Sequence, residues 1–227
     1  MRKDTGNGKL QAVAAAVPHL KVIVLDCDGV LFDSREANTR FYSHIMARVG
    51  RPPVRVDQQE YIHMYPVRES LLYLTGGEGA DFDRALGYLK TIDFSAFNGH
   101  LTCEPGLVPF LKLASTHFRT ALATNRTVST LELLQHYELA EYFHLVVSAA
   151  DVAHPKPHPE TMEKIFAVFE ARPENVLYIG DSKVDEALAK ATGVHFVGYK
   201  NPSLEAELHI GHFNELRGLF PESSGER

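Results

Sequence analysis

Six polar side chains have the types and spacing of a metal-assisted reaction centre. They comprise four carboxylates, one hydroxyl and one ammonium: Asp26, Asp28, Thr124, Lys156, Asp181 and Asp185. Four carboxylates in one cleft would repel one another unless a hard divalent cation lay among them, and oxygen ligands of this kind suit Mg²⁺. The residue types therefore predict a magnesium site.

A carboxylate such as Asp26 could attack a phosphate ester, but it would meet strong electrostatic repulsion. At roughly 4 Å and an effective dielectric constant near 20, the repulsion is about 4 kcal/mol per pair of unit charges, so about 8 kcal/mol against a dianion. Uncompensated, this repulsion would slow the reaction by about six powers of ten. A metal ion beside the nucleophile, with Lys156 and the Thr124 hydroxyl on other phosphoryl oxygens, would cancel it.

Apolar segments before these residues predict the strands that position them. Short, β-branched and nearly uninterrupted apolar runs are typical of strands buried on both faces of a parallel sheet. We predict such strands at residues 21–26, 119–124, 144–149, 175–180 and, with a weaker pattern, 195–199. Apolar residues at helical spacing predict helices at 105–116, 128–136, 159–170 and 185–192. This alternation predicts an α/β fold with a doubly wound parallel sheet, whose strand ends would converge on one crevice.

One interval interrupts the alternation. Between residues 34 and 97 the sequence has only helical patterns, separated by proline and glycine turns. An insertion directly after the first strand would hang over the strand ends as a lid. We therefore predict a helical cap at 34–97, a catalytic core at 19–33 and 98–227, and a flexible lead-in at 1–18.

Four segments, in this order, resemble the motifs of the haloacid dehalogenase superfamily. They are DCDGVLFDS after the first strand, ATN at 123–125, Lys156 in the loop HPKPHP, and GDSKVDEALAKATG at 180–193. The resemblance covers residues 21–199, and the helical insertion is similar to the small cap of the phosphoglycolate phosphatase-like branch. It implies a Mg²⁺-dependent phosphatase that hydrolyses a small phosphomonoester through an aspartyl-phosphate intermediate.

The resemblance also implies a role for each motif residue. Asp26 corresponds to the nucleophile and a metal ligand. Asp28 corresponds to the general acid and base, and it would bind the metal through its backbone carbonyl. The phosphate-binding positions are Thr124, Asn125 and Lys156. The remaining metal position is Asp181, with Asp185 orienting the water shell of the ion.

Two positions separate hydrolysis from related reactions. Dehalogenases of this superfamily lack an acid two positions after the nucleophile, so Asp28 argues against dehalogenation. The related phosphosugar mutases resemble one another in a cap histidine about twelve residues after the nucleophile, where this chain has Asn38. A mutase remains the alternative enzyme, and a catalytically silent phosphate-binding protein is the alternative of another class.

We expect residues of the cap to select the substrate, because the core motifs contact only its phosphate group. The segment HMYPVRES at 63–70 mixes aromatic, polar and cationic residues beside a predicted helix start. We therefore name Tyr65 and Arg68 as candidate specificity residues, although a solvated helix face is the alternative for Arg68. Arg126, next to the second motif, either forms a surface ion pair or reaches the substrate.

Composition limits the partners of this protein. The net charge of −6, with acidic and basic residues interspersed, predicts neither a nucleic-acid nor an anionic-membrane partner. Two cysteines provide no disulfide framework, and the apolar stretch near the N-terminus is too short and interrupted for a secretory or spanning segment. We therefore expect a cytoplasmic protein that acts on a small phosphorylated metabolite. Its oligomeric state is left open.

Overall fold

The structure, a computed structural model, describes residues 19–92, 97, 99–127 and 130–220. In chain order, the described strands are β1 Val22–Leu25, β2 Phe32–Asp33, β3 Thr102–Cys103, β4 Arg119–Ala123, β5 Leu145–Val147, β6 Val176–Gly180, β7 His195–Tyr199 and β8 Leu208–Ile210. The described α-helices are α1 Arg35–Arg48, α2 Gln59–Met64, α3 Val67–Thr75, α4 Ala80–Leu89, α5 Leu107–His117, α6 Thr130–His136, α7 Glu160–Phe169 and α8 Lys183–Thr192.

Six of the strands form one parallel sheet in the order β5-β4-β1-β6-β7-β8. The central strand, β1, is fully buried on both faces, which explains its continuous apolar sequence. Ile23 and Leu25 pack on one face of the sheet, whereas Val22 and Val24 pack on the other. The sheet therefore carries one hydrophobic cluster on each face.

Helices cover both faces of this sheet. Apolar residues of α5 and α6 pack into the cluster that contains Leu25, and those of α7 and α8 pack into the cluster that contains Val24. Helices α5 and α6 therefore cover one face of the sheet, and α7 and α8 cover the other, as in a doubly wound fold. The predicted doubly wound fold is confirmed.

The helices α1 to α4 lie between β2 and β3, and they have a hydrophobic cluster of their own. Its buried members include Phe41, Ile45, Met46, Leu71 and Phe82. The two short strands β2 and β3 pair antiparallel where the chain leaves and re-enters the core. The described part of the predicted cap interval is thus helical, as expected, while the exact domain boundaries stay predictions.

Several elements differ from the sequence-based expectation. The short helix α2 and the strands β2, β3 and β8 were not predicted, because elements of two to six residues are too short to show a period. Strand β8 also alternates between buried and exposed residues at the sheet edge, so it lacks a continuous apolar run. Helix α8 begins at Lys183, two residues before its predicted start, because Ser182 caps it.

Some expectations fall on residues without a described structure. The predicted lead-in at 1–18 lies outside the described residues, as do the first two residues of the helix predicted at 128–136. Within the described ranges, none of the helices combines the length and apolar character needed to cross a bilayer.

Candidate active site

Three neighbouring strands bring the motif residues to one edge of the sheet. Leu25 at the end of β1 pairs with Leu122 of β4 and with Ile179 of β6. Because these strands are parallel and in register, Asp26 and Asp181 follow at the same edge, which is the ligand-binding edge of doubly wound sheets.

The Lys156 ammonium is buried between two carboxylates. Its Nζ lies 2.8 Å from Asp26 Oδ1 and 2.8 Å from Asp185 Oδ1, and it donates a hydrogen bond to the Tyr178 hydroxyl at 3.1 Å. Burial lowers the pKa of Lys156, but the charges and hydrogen bonds of the two carboxylates together outweigh burial and raise that pKa above its usual value. The ammonium therefore stays charged beside the predicted nucleophile.

Asp185 is fully buried, and protein donors already occupy both of its carboxylate oxygens. Oδ1 accepts hydrogen bonds from Lys156 and from the Tyr178 hydroxyl. Oδ2 accepts from the Ser182 hydroxyl at 2.6 Å and from the backbone N–H groups of Asp181 and Ser182. Because both oxygens are already hydrogen-bonded, Asp185 is better suited to positioning Lys156 and the start of α8 than to binding a metal ion directly.

Oxygens of Asp26, Asp181 and Asp185 lie within 4.8 Å of one another, so a cation held by Asp26 and Asp181 would lie close to the Asp185 carboxylate. Asp181 Oδ1 is buried and has no hydrogen-bond partner among the residues that the structure describes. Burial, followed by the charge of Asp185, raises the pKa of Asp26 to about 7 and raises that of Asp181 well above its usual value. An unpartnered buried oxygen among repelling acids fits a hard divalent cation such as Mg²⁺.

Gly29 makes room for this arrangement. Its backbone has a φ of +81°, and a Cβ atom added to it would lie 1.9 Å from Asp181 Oδ2. A side chain at this position would therefore collide with the acid cluster. The glycine that follows the DCD motif thus allows the first and last motifs to meet.

Asp28 has a very different environment from Asp26. Arg126 Nε donates to its Oδ2 at 2.8 Å, and Arg126 Nη2 donates to its Oδ1 at 2.9 Å. Burial alone would raise the pKa of Asp28, but the guanidinium outweighs burial and lowers that pKa to about 2. In this structure Asp28 is therefore an ionised carboxylate in a bidentate ion pair.

The second motif connects the predicted phosphate-binding positions to the helical insertion. The Thr124 hydroxyl accepts a hydrogen bond from the backbone N–H of Arg126 at 3.1 Å. Asn125 Nδ2 donates to the backbone carbonyl of Lys156 at 3.0 Å and to that of Met64 at 3.2 Å. Asn125 thus connects its own loop after β4 to the loop that contains Lys156 and to the C-terminal end of α2.

A cleft with a volume of about 90 Å³ lies between the helical insertion and the strand ends. Asp28, Asn125 and Arg126 line its core side, whereas Asn38 and His63 are among the residues that line its cap side. A small molecule in this cleft could therefore contact both the Asp28 carboxylate and the Arg126 guanidinium.

His63 is an active-site neighbour that the sequence did not single out. Its Nδ1 lies 3.1 Å from Asn38 Nδ2. Its buried Nε2 lies 3.8 Å from Asp181 Oδ2 and has no hydrogen-bond partner in the described part of the chain. Burial lowers the pKa of His63, while the charge of Asp28 acts in the opposite direction. An imidazole thus faces the acids although Asn38 replaces the histidine of the mutase pattern.

The two candidate specificity residues lie in different places. Tyr65 lines the cleft and stacks on Tyr61, with ring centroids 4.3 Å apart. Arg68 is not among the residues that line the cleft. Its guanidinium instead lies 5.2 Å from the centroid of the Phe82 ring and 3.5 Å from Glu78. The structure therefore gives a contact basis for Tyr65 and a surface position for Arg68.

Sequence patterns could have pointed to only some of the additional site residues. Arg126 adjoins the ATN motif, and both of its possible roles were open. Tyr178 was predicted only as part of an apolar strand, yet its hydroxyl reaches Asp185. The available signal was the tyrosine hydroxyl itself, which is a polar group in an otherwise apolar strand that leads into the last motif.

Comparison with known proteins identifies the class to which this fold and site belong. A model of the haloacid dehalogenase-like hydrolase family matches residues 23–199, so the chain belongs to that family. Its enzymatic class is that of the phosphohydrolases.

Particular relatives narrow this class further. A phosphoglycolate phosphatase of Rhodobacter capsulatus is 29% identical over 208 residues, which cover 87% of this chain and 94% of the relative. A solved hydrolase of the same superfamily, subfamily IA, from Geobacter sulfurreducens is 34% identical, with a TM-score of 0.78 over 88% of this chain and 100% of the other. A pyrophosphatase of Anoxybacillus flavithermus is 26% identical over 79% of this chain and 83% of its own. The chain is therefore a phosphatase of this family, and it is similar to phosphoglycolate phosphatases.

Proposed function

We propose that this protein is a Mg²⁺-dependent phosphatase that hydrolyses a small phosphomonoester through an aspartyl phosphate on Asp26. One observation carries the proposal. The Asp26 carboxylate lies at the end of the central strand, 2.8 Å from the buried Lys156 ammonium and close to Asp181, whose Oδ1 has no partner among the described residues. A nucleophile, a cationic phosphate ligand and a metal ligand therefore meet at one point.

In the first step, Asp26 attacks phosphorus while Asp28 gives a proton to the oxygen of the leaving alcohol. Lys156 and Thr124 hold phosphoryl oxygens, and they oppose the charge that develops on them. The ion pair of Asp28 with Arg126 keeps the carboxylate ionised in the free enzyme. The acid role therefore requires that this pair opens when the leaving group enters and that Asp28 first takes up from solvent the proton that it gives to the alcohol.

In the second step, Asp28 removes a proton from water, which attacks the phosphorus of the aspartyl phosphate and regenerates Asp26. Asp28 is ionised at this stage because it gave up its proton in the first step, so it can accept one from the water. Asp26 and Asp181 would hold the Mg²⁺ ion together with the backbone carbonyl of Asp28, and Asp185 would support them. When bound, the ion supplies charge neutralisation between the nucleophile and the phosphate.

Phosphoglycolate is the first substrate to test, because several relatives are phosphoglycolate phosphatases. Pyrophosphate is the second, since other relatives are pyrophosphatases. The substrate would be a small phosphorylated metabolite in either case.

The test is phosphate release from a panel of phosphomonoesters and pyrophosphate, with and without Mg²⁺, by the wild type and by Asp26→Asn. We expect Mg²⁺-dependent release that a chelator abolishes and added Mg²⁺ restores. We expect Asp26→Asn to lose at least about 10³-fold in kcat, because an amide cannot attack phosphorus.

Circular dichroism of Asp26→Asn is the folding control, and the variant should keep the spectrum of the wild type. Turnover by Asp26→Asn at the wild-type rate would exclude the aspartyl-phosphate mechanism. Conversion of a sugar phosphate to its isomer without phosphate release would indicate the mutase instead. Binding of phosphate esters without any turnover would indicate the silent binding protein.

A further inference from the structure

The cleft between the helical insertion and the strand ends is the place where the leaving group of a substrate would lie. Asp28, the proposed acid, lines this cleft, whereas Asp26 and Lys156 are not among the described residues that line it. The oxygen that Asp28 protonates is bonded to the organic part of the ester. That organic part therefore extends from Asp28 into the cleft.

Most of the described side chains that line the cleft are apolar or aromatic. The helical insertion contributes, among others, Phe41, Tyr42, Ile62, Tyr65, Val67 and Phe97. Three of these side chains, Tyr65, Val67 and Phe97, are only half-buried, so part of their surface remains available for contact with a ligand. Removing such surface from water favours an apolar occupant.

The charges that line the cleft are already paired. Asp28 and Arg126 are the only acidic or basic side chains among the described lining residues apart from His63, and they form a bidentate ion pair with each other. Burial lowers the pKa of His63, which favours its uncharged form. An ionised group on the leaving alcohol would have to give up its water and compete with the ion pair, whereas an uncharged group would not.

Aromatic rings form a large part of this lining, and neighbouring rings hold them in place. Tyr65 stacks on Tyr61 with ring centroids 4.3 Å apart, and Tyr61 stacks on Tyr73 with centroids 4.1 Å apart. The rings of Phe41 and Phe97 meet edge to face, with centroids 5.4 Å apart. Rings that are fixed in this way offer an oriented surface to a further ring, and such ring contacts stabilise beyond the area that they bury.

We propose that this protein prefers phosphomonoesters whose leaving group is an uncharged aromatic alcohol, bound against Tyr65, Val67 and Phe97. This inference rests on the proposed phosphatase function and deepens it, because it names the chemical class of the leaving group. The reaction is the same hydrolysis. The bond between phosphorus and the ester oxygen breaks, the aromatic alcohol leaves with the proton from Asp28, and water supplies the oxygen that replaces it on phosphorus.

A purely structural role is the competing explanation, in which the apolar lining only packs the helical insertion together. Phe97 and Val67 do pack against the hydrophobic cluster of the insertion. The two explanations differ in their dependence on the substrate. If the lining does not touch the leaving group, the polarity and planarity of a ring in that group should not affect the rate.

The experiment compares three matched substrates: benzyl phosphate, cyclohexylmethyl phosphate and (tetrahydropyran-4-yl)methyl phosphate. All three release a primary alcohol in which one methylene group joins the oxygen to a six-membered ring. The first two differ in the planarity and aromatic character of the ring, and the last two differ in one ring methylene replaced by an ether oxygen. The readouts are the ratios of kcat/KM within each pair, in which effects on the phosphate-binding residues cancel.

Three variants accompany the wild type. Tyr65→Leu removes an aromatic ring but keeps an apolar side chain, and Val67→Thr replaces a methyl group by a hydroxyl at nearly the same shape. Tyr88→Leu is the matched control, because it makes the same change in the helical insertion at a residue that is not among the described lining residues of the cleft. Circular dichroism checks that each variant folds, and Val67→Thr carries the comparison if Tyr65→Leu does not.

We expect the wild type to prefer the cyclohexylmethyl ester to the ether by about tenfold or more, because the ether oxygen loses its water in the cleft. We expect Tyr65→Leu to lower the ratio of benzyl to cyclohexylmethyl ester by about 2- to 10-fold, the effect of one lost ring contact. Val67→Thr should lower the preference for the cyclohexylmethyl ester over the ether, and Tyr88→Leu should change neither ratio. These changes should appear mainly in KM, since the ring contacts are the same before and during the reaction.

Equal kcat/KM values for the three esters in the wild type would overturn the inference, as would ratios that respond to Tyr65→Leu no more than to Tyr88→Leu. The proposed function fails in a different way. If the wild type releases phosphate from phosphoglycolate but from none of the three ring esters, phosphatase activity stands and the inference about the leaving group is wrong. If the folded wild type releases phosphate from no phosphomonoester in the presence of Mg²⁺, the phosphatase proposal itself fails.

Discussion

At the scale of single residues, the environments of Asp26 and Asp28 explain how one motif can contain two chemically different carboxylates. Asp26 is buried beside Asp185, and its pKa is raised to about 7. Asp28 forms a bidentate pair with Arg126, and its pKa is lowered to about 2. The pKa values of these two aspartates therefore differ because their neighbours differ, although their side chains are identical.

We predict that Mg²⁺ binding depends on pH through Asp26. A carboxyl group with a raised pKa keeps its proton below that pKa, and the proton must leave before the carboxylate can bind a metal. Below about pH 7 the Mg²⁺ affinity should therefore fall by about tenfold or more per pH unit, and above it the affinity should level off.

Calorimetric titration with Mg²⁺ in two buffers of different ionisation enthalpy would measure this affinity and the released proton together. Asp26→Asn is the matched control, and its affinity should depend less steeply on pH. A Mg²⁺ affinity that is constant between about pH 5.5 and about pH 7 would contradict the raised pKa of Asp26.

At the scale of secondary-structure elements, the N-terminal end of α8 contributes both to the stability of the fold and to the geometry of the candidate active site. Ser182 is the N-cap of this helix, and its hydroxyl accepts from the Asp185 backbone N–H at 3.2 Å while donating to Asp185 Oδ2 at 2.6 Å. The same carboxylate holds Lys156 through its other oxygen. The capping interaction therefore also orients the group that faces the ammonium.

We predict that Ser182→Ala lowers the free energy of unfolding by about 1 kcal/mol, because the helix loses its cap. Urea denaturation with an unchanged m-value would measure this loss. Ser182→Thr keeps a capping hydroxyl and should lose less. Equal midpoints for the wild type and Ser182→Ala would show that the cap contributes nothing to stability.

At the scale of the whole molecule, the helical insertion has its own hydrophobic cluster and also makes polar contacts with the core. One is the hydrogen bond from Asn125 to the Met64 carbonyl, and another is the approach of His63 to Asp181. Both contacts come from α2, which lines the cleft. A ligand in the cleft would therefore add contacts between α2 and the strand ends.

We predict that binding of phosphoglycolate and Mg²⁺ to Asp26→Asn slows amide hydrogen exchange in α2. Exchange followed by mass spectrometry would measure this, with α5 as the internal control because it packs against the sheet rather than the cleft. Equal exchange rates of α2 with and without the ligand would contradict a cap that closes over the substrate.

Local patterns alone were enough to predict the parallel sheet, the helical insertion and the ordered motifs. The strand β1 reads as a continuous apolar run because both of its faces are buried, and burial of this kind is visible in the sequence. The direction of parallel strands then places Asp26 and Asp181 at one edge. Short elements such as β8 were missed because three residues cannot display a period.

Tertiary structure alone decided which distant side chains meet. Arg126 pairs with Asp28 across 98 positions of the chain, and His63 of the cap approaches Asp181 of the core. Such contacts depend on how the helical insertion packs over the strand ends, and no local periodicity encodes that packing. The sequence by itself therefore determined the fold class and the residues of the motifs, whereas long-range packing determined the partner and protonation state of each one.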